Sequence, residues 1–323
     1  MNTQPAETIA VLLMAYGGPD KLEDIPAYLA DVRHGRPFSQ ELLEEITERY
    51  RRIGGRSPIV ELTRAQAAGV ERLLNTPEAA AEGIRYRTYV GMRHWHPYIH
   101  EVVPEILRDG ADRLVAVVMA PHYSKMSVGA YLQRLSEALE AHRAALPVLA
   151  VESWKDEPAF IAAVADRIDE ALARFPEETR DEVVLLFTAH SLPERILSWG
   201  DPYREEILTS VERVARQFPS RRWIFAFQSQ GASEEPWLGP TVEETLDRLA
   251  AEGVENVLLV PIGFVCDHVE VLYDVDIEHR QYAADLGIRL ERTTSLNDHP
   301  LLCQAIADVV RRRVAEARVA AAS

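Results

Sequence analysis

Short apolar runs alternate with amphipathic stretches along the chain. The runs are 9–15 (IAVLLMA), a weaker 86–91 (YRTYVG), 114–120 (LVAVVMA), 147–151 (PVLAV), 183–188 (VVLLFT), 223–228 (WIFAFQ), 257–262 (VLLVPI) and a short 288–292 (IRLER). Their β-branched and aromatic content and their lengths suit strands buried on both faces. Among the intervening segments, 156–175, 205–218 and 241–252 place apolar residues at helical spacing, and Gly253 stands where the last of these should stop. Strand–helix alternation predicts parallel sheets joined by right-handed crossovers.

The two halves look alike. In each, a first strand ends in a polar loop (Tyr16-Gly17-Gly18-Pro19; His190-Ser191-Leu192-Pro193), and a later strand ends in a His-bearing loop (Pro121-His122-Tyr123-Ser124; Cys266-Asp267-His268). Two four-stranded sheets therefore fit better than one barrel. The expected class is α/β with two domains, 1–152 and 153–299, and a helix over 300–323 that packs back on the first. Ligands of open parallel sheets bind beyond the carboxyl ends of the strands. All four loops should then face one deep cleft between the domains.

Composition narrows the function. A chain of 323 residues is long enough for two cores, and 47% hydrophobic with 27% charged residues leaves no reason to expect disorder. The net charge of −16 argues against nucleic acid, whose binding rests on phosphate neutralisation. Lys occurs only at 21, 125 and 155, so nearly all positive charge is Arg, a bias that base composition explains. Cys266 and Cys303 are the only cysteines, too few for a disulfide framework or the usual four ligands of an iron–sulfur cluster. The N-terminus lacks a basic, then apolar, secretory pattern, and no apolar run reaches the ~18 residues of a membrane span. A cytoplasmic protein is expected, with surface association with a membrane left open. No GxGxxG, Walker A, HExxH or GxSxG motif is present, which weakens dinucleotide, nucleotide, zinc-protease and serine-hydrolase readings.

Four constellations carry candidate chemistry. Residues 266–278 (CDHVEVLYDVDIE) follow an apolar strand and, if helical, set Glu270, Asp274 and Glu278 four apart on one face. Such a row would attract a divalent cation and accept protons, or it is a solvated acidic face. His190, in TAHSLP, ends a strand; imidazole is a neutral ligand or proton carrier near neutral pH, or it is structural. Imidazole with carboxylate suits ferrous iron but does not select it. Arg33, Arg36, Arg49, Arg51, Arg52 and Arg56 cluster in an otherwise acidic chain, matching either a polycarboxylate ligand or the neighbouring Glu41, Glu44, Glu45 and Glu48. Tyr16, Tyr28, Phe38 and Tyr50 punctuate the same region. Lastly, 227–231 (FQSQG) and 236–240 (PWLGP) form a Gly/Pro-ordered turn whose Trp237 covers the cleft or packs beneath it.

Together these segments resemble the ferrochelatase family over nearly the whole chain. The resemblance rests on MAYGGP (14–19), VRHGRP (32–37), RYRRIGGRSP (49–58), APHYS (120–124), TAHSLP (188–193), FQSQG with PWLGP, and GFVCDHVEVLYDVDIE (263–278). It implies two Rossmann-like domains, each a four-stranded parallel sheet flanked by helices, with a porphyrin cleft between them. It further implies iron binding by His190 and Glu270, porphyrin contacts from Tyr16, Arg33, Arg49, Tyr50, Ser57 and Tyr131, and an acidic row at Asp274 and Glu278 serving catalysis near the metal. His34 stands where some relatives carry a second Arg. The chain is most similar to the bacterial enzymes acting on coproporphyrin III without an iron–sulfur cluster. Its implied partners are Fe2+ and porphyrin, on a monomer that contacts a membrane or other haem-pathway proteins only transiently. Protoporphyrin IX is the alternative substrate. A cobalt chelatase and a non-catalytic porphyrin or haem carrier are rival functions, though a carrier has no need of the acidic row. A sugar- or amino-acid-binding protein is a third, disfavoured by the missing signal peptide.

Overall fold

The computed structural model describes residues 7–231 and 235–322. Strands β1 (Glu7–Ala15), β2 (Ile84–Met92), β3 (Arg113–Val118) and β4 (Val148–Val151) form an all-parallel sheet in the order β2-β1-β3-β4. Strands β5 (Val184–His190), β6 (Trp223–Gln228), β7 (Asn256–Val260) and β8 (Arg289–Arg292) repeat that topology as β6-β5-β7-β8. In each sheet the chain leaves the central first strand to opposite sides, so the loops after β1 and β3, and after β5 and β7, diverge and leave a crevice.

The apolar runs fold this way because their alternate residues serve two cores. Ile9, Val11 and Leu13 face the helices Ile59–Leu74 and Pro300–Ala322, while Ala10, Leu12 and Met14 face Ile99–Arg108 and Val128–Ala141. The first of these cores runs without a break into the second domain, taking in Phe160, Ile168, Phe187 and Leu258. The C-terminal helix packs on Ile59–Leu74 of the first domain and equally on Pro158–Leu172 of the second. Arg312 pairs with Glu157 at 2.6 Å and Arg318 with Glu7 at 2.7 Å. It therefore straps the domains together as well as covering the first.

Polar groups reinforce that junction. Glu206, on the helix Tyr203–Ala215, accepts from Lys155 Nζ at 2.7 Å, Ser153 Oγ at 2.6 Å and the Tyr123 N–H at 2.7 Å. Asp201 accepts from Ser124 Oγ at 3.0 Å and the Lys125 N–H at 2.7 Å. The His122 Nε2 and Ser210 Oγ lie 2.8 Å apart, and burial pushes this imidazole down to about 3, so it is a neutral bonding group.

Two elements differ from the sequence reading. The weak run at 86–91 is part of a full-length strand, Ile84–Met92, because Arg85 and Arg87 reach outward from a sheet edge. The acidic segment is no continuous α-helix: a short turn, Val269–Leu272, gives way to a π-helix over Asp274–His279, closed by a bond from the Glu278 N–H to the Tyr273 carbonyl at 3.1 Å. A π turn takes an extra residue per turn, so the four-residue spacing does not hold one face. Glu278 consequently points to solvent while Asp274 is buried. Among the described residues no helix is long and apolar enough to cross a membrane.

Candidate active site

The strand ends meet around a cavity of about 320 Å3 between the two domains. Close backbone approach shapes it on both sides. A Cβ on Gly17, whose φ is +92°, would meet Trp95 at 2.9 Å, and one on Gly263 would lie 2.6 Å from the Ala189 Cβ. Only glycine lets the loop after β7 cross the end of β5 and bring 266–270 beside His190.

There, His190 Nε2 lies 3.4 Å from Glu270 Oε1. The other ring nitrogen of His190 is held by the Ser191 carbonyl, and the Tyr203 hydroxyl donates to the His190 carbonyl at 3.0 Å. Nε2 is thus the nitrogen left facing the cavity. His268 Nε2 lies 3.3 Å from Glu270 Oε2, and Gln228 Nε2 donates to the Glu270 carbonyl at 3.0 Å, itself fixed by Thr188. Burial opposes charge on both partners, but proximity wins. Glu270 raises the His190 pKa above its ordinary value, and His190 and His268 hold the Glu270 carboxyl well below the usual carboxylate range. An arriving divalent cation can displace the shared proton and take both groups as ligands.

Asp274 lies behind this pair. It accepts from Ser229 Oγ at 2.5 Å and from Arg49 at 3.4 Å. Burial, with Glu270 adding to it, pushes Asp274 up to about 6 against those two contacts, in the range where a carboxyl exchanges protons at physiological pH. Cys266 also lines the cavity, but burial pushes its thiol up to about 12, so it stays protonated.

The first domain supplies the facing wall. Tyr16, Tyr50, Ser57 and Tyr131 all line the cavity. Arg33 and Arg49 do not. Arg33 donates to the Pro37 carbonyl at 3.1 Å, while Arg49 pairs with Glu45 at 2.9 Å and lies over the Tyr273 ring. Arg51 and Arg56 are likewise taken, by Glu48 and Glu61. The structure therefore gathers His190, Glu270, Tyr16, Tyr50, Ser57 and Tyr131 around one space, sets Asp274 just behind it, and leaves Glu278 outside. Trp237 does cover the cleft: its segment pairs with Pro193, and the indole stands 6.4 Å from the His190 ring.

Sequence reasoning missed Arg93. It lines the cavity with its guanidinium 5.4 Å from the Tyr131 ring centre. Its signal was its place just beyond the end of β2, the same rule that singled out the other loops. His268, which holds Glu270, was marked in the sequence as the histidine of a strand-end loop but not as a partner of Glu270, and Tyr203, which holds His190, was not marked at all.

Solved structures place the fold among the two-domain chelatases. SirB from Bacillus subtilis with Fe3+ superposes with a TM-score of 0.61 at 11% identity, covering 96% of this chain and 97% of that one. The cobalt complex of the sirohydrochlorin chelatase SirB from the same species gives 0.58 at 11%, covering 95% of each chain. At that identity the likeness concerns the fold. Sequence carries the rest: the ferrochelatase family profile matches residues 8–314, and the chain belongs to the ferrochelatase family, the enzymes that insert metal into porphyrin. A ferrochelatase of Herpetosiphon aurantiacus is 44% identical over 93% of this chain and 97% of its own length. One of Deinococcus radiodurans is 43% identical, over 95% and 96%. The coproporphyrin III ferrochelatase of Anoxybacillus flavithermus is 40% identical, over 94% and 96%.

Proposed function

We propose that this enzyme inserts Fe2+ into coproporphyrin III, with His190 and Glu270 as the metal-binding pair. The observation that carries the reading is the imidazole–carboxylate pair at 3.4 Å, which faces a wall of Tyr16, Tyr50 and Tyr131 across a gap between domains. A flat ring held against that wall presents its nitrogens to the pair. Metal insertion releases two pyrrole protons for each Fe2+ bound. His190 takes a pyrrole proton or holds the iron, and Glu270 is the second ligand. The two groups share one proton and titrate as a unit. Asp274, held near pH 6 behind them, is the next proton acceptor. Glu278 lies at the outer end of the same segment, placed to attract metal from solvent.

Bending the ring to expose its nitrogens requires binding energy from elsewhere on the substrate. Coproporphyrin offers four propionates for this and protoporphyrin two. Arg33 and Arg49 meet propionates by exchanging their present partners, and Tyr16, Tyr50, Ser57 and Tyr131 line the ring. The reaction runs in the cytoplasm on a monomer, with Fe2+ and porphyrin as its small partners and no iron–sulfur cluster. An anaerobic assay with Fe2+ that compares coproporphyrin III with protoporphyrin IX tests the substrate. A higher kcat/KM for coproporphyrin III is expected; a preference for protoporphyrin IX would overturn the assignment.

A further inference from the structure

The segment that carries Glu270 is tied down on both sides by one side chain outside the cleft. Arg292 ends β8, and its side chain is only 12% exposed. Its Nε and Nη2 each donate to a carboxylate oxygen of Asp276 at 2.8 Å. That two-point geometry belongs to a planar guanidinium and is beyond an ammonium. Its Nη1 donates to the Thr293 carbonyl at 2.9 Å and to Ser295 Oγ at 3.2 Å, and lies 3.6 Å from Asp267 Oδ1. Ser295 in turn donates to Asp267 at 2.7 Å. Asn297 donates to the other Asp267 oxygen at 3.0 Å and accepts the Asp267 N–H at 2.9 Å.

The placement of the two acids gives this network its meaning. Asp267 precedes His268 and Glu270, and Asp276 lies in the π turn just after Asp274. Neither lines the cavity, so neither is available to substrate. Two carboxylates drawn to one cation repel each other once it is gone, and the intervening residues are the ones they would carry apart. We propose that Arg292 is a positioning residue for metal insertion: it clamps Asp267 and Asp276 and so fixes Glu270 and the π turn against β8. The inference rests on the reading of Glu270 as a metal ligand. Groups that orient a ligand typically change metal affinity or activity by about 10–100-fold when removed.

The test uses the full-length enzyme with Arg292→Ala, Arg292→Lys and, as reference, Glu270→Gln. Four quantities are read: kcat, KM for Fe2+, the porphyrin Kd from fluorescence quenching, and Tm. Arg292→Ala should lower kcat/KM for Fe2+ about tenfold or more while the porphyrin Kd stays at the wild-type value, a split that general loosening of the fold does not produce. Arg292→Lys, which keeps the charge but not the fork, should recover Tm while turnover stays low; it also carries the test if the alanine variant does not fold. Wild-type kcat/KM in either Arg292 variant, or a loss shared equally by porphyrin binding, would overturn the proposal. If Glu270→Gln is impaired and Arg292→Ala is not, the clamp alone is wrong. If Glu270→Gln is fully active, the reading of Glu270 is wrong.

Discussion

Replacing Asp274 by Asn should stabilise the folded protein at neutral pH while slowing it. Asp274 is 6% exposed. Burial pushes its carboxyl up from 3.8 to about 6, with Glu270 adding to the shift and Ser229 and Arg49 opposing it. A carboxyl whose folded pKa exceeds its unfolded one contributes stability below the unfolded value and loses it as pH rises through the folded value. Here that window runs from about 4 to about 6. At ~1.4 kcal/mol per pH unit, holding the ionised group at neutral pH costs the fold about 3 kcal/mol. Asn is uncharged and of the same shape, so it escapes that cost. The contact with Arg49 at 3.4 Å is already counted in that shift. The gain is therefore about 3 kcal/mol at pH 7.5, falling to near zero at pH 4. Urea unfolding of both proteins at the two pH values measures it. An Asn variant that is less stable at pH 7.5, or whose advantage is the same at pH 4, would refute the reasoning. Reduced turnover in the more stable variant would mark Asp274 as a group kept for its proton chemistry.

The remaining predictions concern the pair and the frame that holds it. His190→Ala and Glu270→Gln should each lower kcat about a hundredfold or more with the fold intact and porphyrin binding preserved; a purified variant at the wild-type rate would remove that residue from the mechanism. Glu206→Gln should leave the Lys155 ammonium, now paired at 2.7 Å, without its anion at the domain junction. Losing one partner of this half-buried, charged hydrogen bond costs about 2 kcal/mol, or roughly 3 °C in Tm for a chain of this size. A thermal scan with no shift would show that the junction does not depend on that charge.

The fold was legible because its signal is collective. Each buried strand is a short run whose neighbours on both faces must be apolar, and eight such runs in two similar sets leave little freedom. The rule that ligands gather at the carboxyl ends of strands then picks out the loops bearing Tyr16 and His190 from sequence alone. What escaped were features decided by contacts between distant segments. The π turn lies where Asp276 meets Arg292 and Asp274 meets Ser229, contacts between distant segments that the four-residue spacing of Glu270, Asp274 and Glu278 does not show. The fate of Arg33 and Arg49 was hidden for a related reason. Clustered arginines beside clustered glutamates satisfy one another first, and only geometry shows which remain for a ligand. Arg93 was overlooked because it stands alone in sequence, although in space it is the guanidinium that lines the cavity.

The way the frame is built constrains how a rigid, flat substrate enters. The main core and the C-terminal helix join the domains continuously, and Asp201 with Ser124, His122 with Ser210 and Glu206 with the Tyr123 N–H add polar ties across the same junction. Opening the cleft by moving whole domains would break all of these at once. The helices Ile25–Val32 and Gln40–Arg52 are held differently. They share a small separate core of Ile25, Tyr28, Tyr50 and Trp95, and meet the acidic segment through Arg49 and Arg52 over the Tyr273 ring and Arg49 beside Asp274. Regions with few buried contacts open at lower free-energy cost than the core. The two helices, which carry Tyr50 and Arg49, are therefore the part of the cleft wall that opens at least cost. A substrate carboxylate that draws Arg49 away from Asp274 removes a cation from that acid and raises its affinity for a proton. If Asp274 is the proton acceptor proposed above, binding the ring in this way would also ready it.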